Sequence, residues 1–268
     1  MSHLSRSGLS ANSLAPVPAP SIPDPSPRIV DWELAKRVLA TLHKEAPVIL
    51  AQAVIIGGVS CWFYRQALAK AADPDFKVPD LSPSQNKLWL SKDLDFTNFF
   101  AEDARRMLPN RVVRDAQGRQ QLVFEGVPIG FAQVGITFDP ESAFIDSWIG
   151  RFADGEALIE FRVLDPVALY REKLALSQRR GAEADLIHCS LMAEFLRFET
   201  CQQASSLTSA KTLAHKSNPM KFLTAIRDRA PEICRDNRLH DRVRQCALAA
   251  SLTPAEVELL RQLLASLE

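Results

Sequence analysis

The stretch Ile55-Ile56-Gly57-Gly58-Val59-Ser60 decides the fold, because an apolar run passes through two glycines into a helical pattern. Residues 47–56 are apolar and partly β-branched, which favours a strand, and residues 60–72 have the apolar spacing of a helix. Glycines let a backbone approach a ligand closely, and the N–H groups at the start of a helix attract phosphate. The stretch predicts a strand, a glycine turn and a helix, with either a phosphate site or plain turn chemistry between them.

The next informative stretch is Ser91-Lys92-Asp93-Leu94-Asp95-Phe96, in which polar and apolar residues alternate as in a half-buried strand. Its two aspartates are two residues apart and therefore point to the same face. Such carboxylates repel each other unless they are solvated, ion-paired or shared by a cation, and Mg²⁺ with triphosphate oxygens is the usual cation. The pair predicts a Mg²⁺ site or, alternatively, an exposed strand face.

Other elements follow from local patterns. Residues 31–44 and 102–108 have helical spacing, and the chain is strongly helical after residue 165. Thr253-Pro254-Ala255-Glu256 predicts the start of the last helix, with an N-cap, a proline in the first turn and a capping-box glutamate. Strands are predicted at residues 87–90, 94–96, 121–124, 129–138, 143–148 and 157–163.

Composition narrows the class of protein. The 268 residues include 32 Lys and Arg and 32 Asp and Glu, so net charge provides no general attraction to nucleic acid or to anionic membranes. The five cysteines are odd in number and form no C-x-x-C pair, which favours reduced thiols. The N-terminus lacks the order of a signal peptide, and no apolar run is long enough to span a bilayer. These features predict a cytoplasmic protein with no membrane contact.

Together, the glycine turn and the Asp-Leu-Asp pair resemble the signature of the nucleotidyltransferase superfamily, and the match is closest to the AbiEii toxin-like branch and the minimal nucleotidyltransferases. A second block, Val163-Leu164-Asp165-Pro166 followed by Lys173, Arg179 and Asp185, is similar to a helix of that family. The resemblance covers about residues 47–196. It departs from the family in a longer gap between the two motifs, in Ser91-Lys92 where an arginine is common, and in His188 near the place of a second aspartate.

The resemblance implies an α+β fold of the polymerase-beta-like kind, a mixed sheet flanked by helices with a C-terminal helical region. We expect a disordered Pro- and Ser-rich tail at residues 1–28, a nucleotidyltransferase core at 29–165 and a helical region at 166–268. The implied activity is Mg²⁺-dependent transfer of a nucleoside monophosphate from a nucleoside triphosphate to an RNA, such as a tRNA end, or to a protein acceptor. A toxin of a toxin-antitoxin system, with a cognate antitoxin as partner, fits the same branch.

The resemblance also implies a set of site residues. The catalytic acids and Mg²⁺ ligands would be Asp93, Asp95 and a third acid, for which Asp146 is favoured over Asp139 and Glu160. The nucleotide would contact six residues: Gly57, Gly58, Ser60, Lys92, Lys173 and Arg179. A non-catalytic binding or scaffold protein that retains the fold is the alternative. The third acid distinguishes the two functions, since a clustered acidic trio favours the enzyme.

Overall fold

The computed structural model of the chain describes residues 30–80, 91–115, 117–132, 137–208, 218–249 and 251–265. The chain is an α+β protein in which helices flank a mixed seven-stranded sheet. The predicted tail at residues 1–28 and the predicted strand at 87–90 lie outside the described residues.

The first part of the chain alternates helices with all seven strands. In chain order these elements are α1 (Trp32–Glu45), α2 (Pro47–Gln52), β1 (Val54–Ile56), α3 (Gly57–Ala71), β2 (Leu94–Thr97), α4 (Ala101–Met107), a 3-10 turn (Pro109–Arg111), β3 (Val112–Arg114), β4 (Gln120–Phe124), β5 (Val127–Phe131), α5 (Pro140–Asp146), β6 (Trp148–Asp154) and β7 (Ala157–Val163). The second part is helical and contains α6 (Pro166–Arg180), α7 (Glu183–Thr208), α8 (Pro219–Arg229), a second 3-10 turn (Pro231–Cys234), α9 (Asn237–Ala247) and α10 (Pro254–Ala265).

The sheet has the strand order β3-β4-β5-β2-β1-β7-β6. At its centre β1 is antiparallel to β2 and parallel to β7, while β2 is parallel to β5. The outer pairs β3–β4, β4–β5 and β6–β7 are antiparallel. As a result β1 and β7 end at the same edge of the sheet at which β2, β5 and β6 begin. We call this the glycine-turn edge, because Gly57 lies there directly after β1.

The core joins the sheet to the helices through aromatic side chains. Phe161 of β7 is buried and contacts the rings of Trp32 and Phe63. The buried Tyr64 of α3 packs against Phe195 of α7, and its hydroxyl donates a hydrogen bond of 2.6 Å to the carbonyl of Leu164. Helix α3 is thereby attached both to the helical region and to the end of β7, which fixes its first turn relative to the glycine-turn edge.

Most of the predicted elements are confirmed. The helix predicted at 31–44 is α1, whose N-cap Asp31 accepts a hydrogen bond of 2.7 Å from the Leu34 N–H. Helix α4 and strands β2, β4 and β7 lie where the patterns placed them. The strand predicted at 129–138 is β5, which begins two residues earlier and ends at Phe131, and residues 133–136 lie outside the described part.

Two strand predictions were wrong. The first part of the run 47–56 forms α2, because Pro47 occupies the first turn of a helix, and only Val54–Ile56 is a strand. The predicted strand at 143–148 lies largely in α5, which begins with Pro140 and whose N-cap Asp139 accepts a hydrogen bond from the Ser142 N–H. In both places a helix-start signal outweighs the β-branched or aromatic composition.

The capping box of α10 is confirmed, and it allows a stability prediction. Glu256 accepts hydrogen bonds of 2.7 Å from both the N–H and the hydroxyl of Thr253. Because loss of an N-cap side chain costs about 0.5–2 kcal/mol, we expect Thr253→Ala to lower the free energy of unfolding by that amount in urea denaturation. Arg261→Ala, which removes an exposed ion pair in the same helix, is the control and is expected to change it by less than about 0.5 kcal/mol. Equal effects of the two variants would contradict the prediction.

Candidate active site

The glycine turn lies against the aspartate strand. Gly57 begins α3 with a φ of 73°, a left-handed conformation that favours glycine. A Cβ atom added to Gly57 would lie 3.1 Å from Oδ2 of Asp95, and one added to Gly58 would lie 3.1 Å from the Cβ of Ser91. The turn therefore needs glycine for its conformation and for its close approach, and it places the start of α3 beside the Asp95 carboxylate.

The two aspartates lie on either side of the start of β2. Asp95 is the second residue of the strand and pairs with Ile56, the last residue of β1, whereas Asp93 lies in the bend before the strand. The Ser91 hydroxyl donates a hydrogen bond of 3.2 Å to Asp93. Burial and the negative charge of Asp93 raise the pKa of Asp95 to about 6, while the positive charge of Lys173 acts in the opposite direction. A cation between the two carboxylates would relieve their repulsion.

The second sequence block meets the first at this place. Lys173 of α6 and Asp185 of α7 form an ion pair of 3.5 Å, and the residues are only 5% and 7% exposed. Lys173 lies near enough to Asp95 to lower its pKa. His188, one turn beyond Asp185, lies beside the glycine turn, since its Cε1 would be 3.5 Å from a Cβ on Gly58. The fold thus assembles the glycine turn, the aspartate pair and the α6–α7 ion pair at one position of the glycine-turn edge.

Gly130 of β5 completes the surroundings of Asp95. It is the register partner of Asp95 on the neighbouring strand, and a Cβ atom there would overlap Oδ1 of Asp95. Gly130 was not among the residues predicted from the sequence. Its only sequence signal is an isolated glycine inside a strand, which is typical of a close approach by a ligand or another chain segment. The described part of β5 carries no acidic residue next to the aspartate pair.

Gly130→Ala is expected to destabilise the protein and to displace the Asp95 carboxylate. The new methyl group must share space with Asp95 in a packed environment, and overpacking of this kind costs about 1–3 kcal/mol. The free energy of unfolding from urea denaturation measures the effect. Gln120→Ala, an exposed position on the adjacent strand β4, is the control and should stay within about 0.5 kcal/mol of the unsubstituted protein. An unchanged unfolding midpoint for Gly130→Ala would show that Asp95 does not occupy this space.

Of three further predicted nucleotide contacts, two lie less favourably than expected. Ser60 is 0% exposed and its hydroxyl donates a hydrogen bond of 2.7 Å to the carbonyl of Ile55, so that hydroxyl is not presented to a ligand. Lys92 is exposed and lies next to Asp93, where its side chain can reach a phosphate. Arg179 is exposed in the last turn of α6, about 120° around the helix from Lys173. The structure therefore removes the Ser60 hydroxyl from the predicted set and separates Arg179 from Lys173.

None of the three candidate third acids joins the aspartate pair. Asp146 ends α5 and forms an ion pair of 2.5 Å with Lys221, beside β6, which is three strands and about 14 Å from β2 at ordinary strand spacing. Asp139 caps α5, and Glu160 forms an ion pair with Arg151 on the β6–β7 hairpin. Among the residues that the structure describes, no group of three His, Cys, Asp or Glu side chains could hold a metal ion. Asp93, Asp95 and Asp146 therefore do not form the expected trio. The segment that carries Asp146 is the helix α5, and this helix leads to β6, the outermost strand on that side of the sheet.

A cavity of about 250 Å³ adjoins Asp93 on the β5 side. Its walls include Gly130 and two polar residues of β4, Gln120 and Gln121, and its one cationic lining residue among those described is Arg105 of α4. The cavity gives a ligand access to Asp93 from the side of β2 opposite the glycine turn. Arg105 was not predicted, because nothing local in the sequence shows that α4 lies over β5.

The donor set fits one Mg²⁺ that arrives with a triphosphate. Proteins usually hold Mg²⁺ with one or two carboxylates and with substrate phosphates rather than with a cage of protein ligands. Asp93 and Asp95 would supply the two carboxylates, and the start of α3, whose first N–H groups could bind phosphate oxygens, lies against Asp95.

Comparison with models of protein families, with curated proteins and with solved structures found no match to the chain. Within the described ranges, no helix combines the length and the apolar composition needed to cross a bilayer.

Proposed function

We propose that the chain is a Mg²⁺-dependent nucleotidyltransferase that moves a nucleoside monophosphate from a nucleoside triphosphate to an RNA or protein acceptor. The observation that carries the proposal is the meeting of two distant sequence blocks at the glycine-turn edge. A half-buried carboxylate with a raised pKa, a second carboxylate and a buried lysine lie near the N-terminus of a helix there. Such an arrangement suits a polyanion bound together with a cation.

Each element has a role in the proposed site. Asp93 and Asp95 hold the metal, and the backbone N–H groups after Gly57 bind phosphate oxygens, since a helix N-terminus favours negative charge. Lys173 lies behind Asp95 and, fixed by Asp185, supplies positive charge that keeps the Asp95 carboxylate ionised. When bound, Mg²⁺ neutralises charge on the reacting phosphate and on its leaving group.

The proposed partners are those implied by the resemblance to nucleotidyltransferases. A tRNA end or a protein hydroxyl is the proposed acceptor, and a cognate antitoxin is the proposed regulator if the chain acts as a toxin. We also propose a cytoplasmic location. All five cysteines are free, and three of them, Cys61, Cys201 and Cys234, are buried, as suits a reducing compartment.

The test uses nucleoside triphosphates labelled in the α-phosphate, Mg²⁺ and either total RNA or lysate protein. Label should move to one acceptor class with the unsubstituted protein and fall by at least about 100-fold with Asp93→Asn, a larger loss than an outer-shell partner causes. Asp103→Asn, an exposed aspartate of α4, is the matched control and should transfer label normally. If neither RNA nor protein is labelled under any of these conditions, the transferase proposal fails.

A second candidate, a non-catalytic nucleotide-binding protein, is favoured by Gly130, which lies next to Asp95 where a neighbouring strand would supply a third acid. This candidate predicts Mg²⁺-dependent binding of a nucleoside triphosphate without transfer of label. Isothermal titration with the same proteins separates the two. Binding that Asp93→Asn abolishes, together with no labelled product, supports the binding protein, whereas label transfer excludes it.

A further inference from the structure

A cavity of about 610 Å³ opens at the far end of the glycine-turn edge, on the side of β6. It is bounded by the start of β6, the residue before α6, and α8. Neither Asp93 nor Asp95 lines it, and β1 and β7 separate it from β2 in the sheet. Its size lies in the range of 300–1,000 Å³ that is usual for sites that bind small molecules.

One wall of the cavity is apolar and aromatic. Trp148 of β6 and Phe222 of α8 lie with their ring centroids 6.4 Å apart, and Ala225, one turn after Phe222, also lines the cavity. Trp148 also packs against Tyr64 and is therefore held by the core. A planar or aliphatic group could be buried against these side chains.

The cavity is also lined by four cationic side chains, and two of them already form ion pairs within the protein. Arg151 forms an ion pair with Glu160, and Lys221 forms one with Asp146. Arg162 and Arg229 also line the cavity, and neither forms an ion pair with any residue in the described ranges. Two guanidinium groups are thus available to a ligand.

The local contacts keep one of these guanidinium groups in place. Arg162 lies over the ring of Phe144 at 4.2 Å and donates a hydrogen bond of 3.0 Å to the Ser147 hydroxyl, which leaves further N–H donors for a ligand. Asp165 caps α6 by accepting hydrogen bonds of 3.0 Å from the Val167 and Ala168 N–H groups, and its negative charge also interacts with Arg229. The lining nevertheless keeps an excess of positive charge, because its four cations face only two carboxylates, Asp146 and Asp165. An oriented arginine beside an apolar wall is suited to a phosphate or a carboxylate with an apolar body.

We propose that this cavity binds a small organic anion in which a phosphate or carboxylate is attached to an aromatic ring. Arg162 and Arg229 hold the anionic group, and the ring packs against Trp148 and Phe222. The proposal does not depend on the proposed function, since no residue of the aspartate site lines the cavity.

The experiment follows the Trp148 indole N–H in two-dimensional NMR spectra of the full chain, with phenyl phosphate and phenylacetate as probes. Its signal is assigned with Trp148→Phe. Both probes, or one of them, should shift this signal with a dissociation constant at or below about 1 mM, and Arg162→Gln and Arg229→Gln should each weaken binding by at least about fivefold, as expected for loss of a charge-assisted hydrogen bond. Arg227→Gln lies on the same helix and does not line the cavity, so it should bind the probes normally.

Several results would overturn the proposal. One is no shift with either probe, and another is a shift that survives both Arg162→Gln and Arg229→Gln. A third is equal binding of inorganic phosphate and phenyl phosphate, because the apolar wall would then contribute nothing. Arg229 is exposed, so the Arg229→Gln variant is expected to fold. It therefore tests the proposal even if the Arg162→Gln variant fails to fold.

Discussion

Asp95→Asn is expected to abolish nucleotide transfer while making the protein more stable at neutral pH. Asparagine keeps the size of the side chain but cannot supply the negative charge that a metal needs, so transfer should fall by at least about 100-fold. Stability should rise because the half-buried Asp95 carboxylate, next to Asp93, is costly to ionise in the folded state. The expected gain above pH 7 is on the order of 1 kcal/mol, measured by urea denaturation in the absence of Mg²⁺.

The sign of the pH dependence follows from the raised pKa of Asp95. Its pKa is about 6 in the folded protein and 3.8 in an ordinary aspartate. Between these values the folded state holds more protons than the unfolded state, so the free energy of unfolding falls as pH rises. The contribution is fully present below pH 3.8 and is lost as pH rises through about 6. Asp95→Asn should flatten this decline.

Asp165 provides the matched comparison. Burial raises the pKa of Asp165 to about 6 as well, so part of the decline should remain in Asp95→Asn. Asp165→Asn keeps an oxygen that can cap α6. This variant should remove the share of the decline in the free energy of unfolding that comes from Asp165, without affecting nucleotide transfer. A destabilised Asp95→Asn protein, or one that still transfers nucleotide at the normal rate, would contradict the role given to Asp95.

Lys173→Met is expected to lower the free energy of unfolding by about 3–5 kcal/mol, because it leaves Asp185 buried without its partner. It also removes the positive charge that lowers the pKa of Asp95, so the pH at which Mg²⁺-dependent nucleotide binding reaches half its maximum should move upward. Chemical denaturation measures the first effect, and titration of nucleotide binding between pH 5 and pH 9 at a fixed Mg²⁺ concentration measures the second.

The double variant Lys173→Met with Asp185→Leu tests the cause. Replacement of both members of a buried ion pair by apolar side chains is often neutral or stabilising, so most of the lost stability should return. Arg106→Met breaks only exposed ion pairs in α4 and should cost less than about 1 kcal/mol. If the double variant is as unstable as Lys173→Met, the destabilisation comes from lost packing around the lysine stem rather than from the unpaired charge.

The parts of the fold that the sequence predicted correctly depend on local signals. The N-cap of α1, the capping box of α10 and the alternation around Asp95 each lie within a few residues, where spacing alone determines which groups meet. The segments 47–52 and 143–146 carry conflicting local signals, since apolar residues that favour a strand follow a proline that starts a helix. In both segments the helix-start signal outweighed the strand-favouring composition.

The candidate site was predictable only in part, for the same reason. Gly57, Asp93 and Asp95 belong to motifs that can be recognised along the chain. The position of Asp146 depends on the strand order, and the contact of Gly130 with Asp95 depends on the register between β2 and β5. Neither the strand order nor the register can be predicted from the spacing of residues along the chain. Arg105 and the cavity beside β6 likewise arise from elements that pack together only after the sheet has formed.

The central position of β1 determines when the site can exist during protein synthesis. This strand has only three residues, and one of its two neighbours is β7, about a hundred residues later in the chain. Pairings that are so distant in sequence form slowly, and they cannot form before both segments have left the ribosome. Lys173 and Asp185 emerge later still. A nascent chain that has passed Asp95 therefore carries both aspartates but no assembled site, so the proposed nucleotide binding could begin only after the start of α7 has been synthesised.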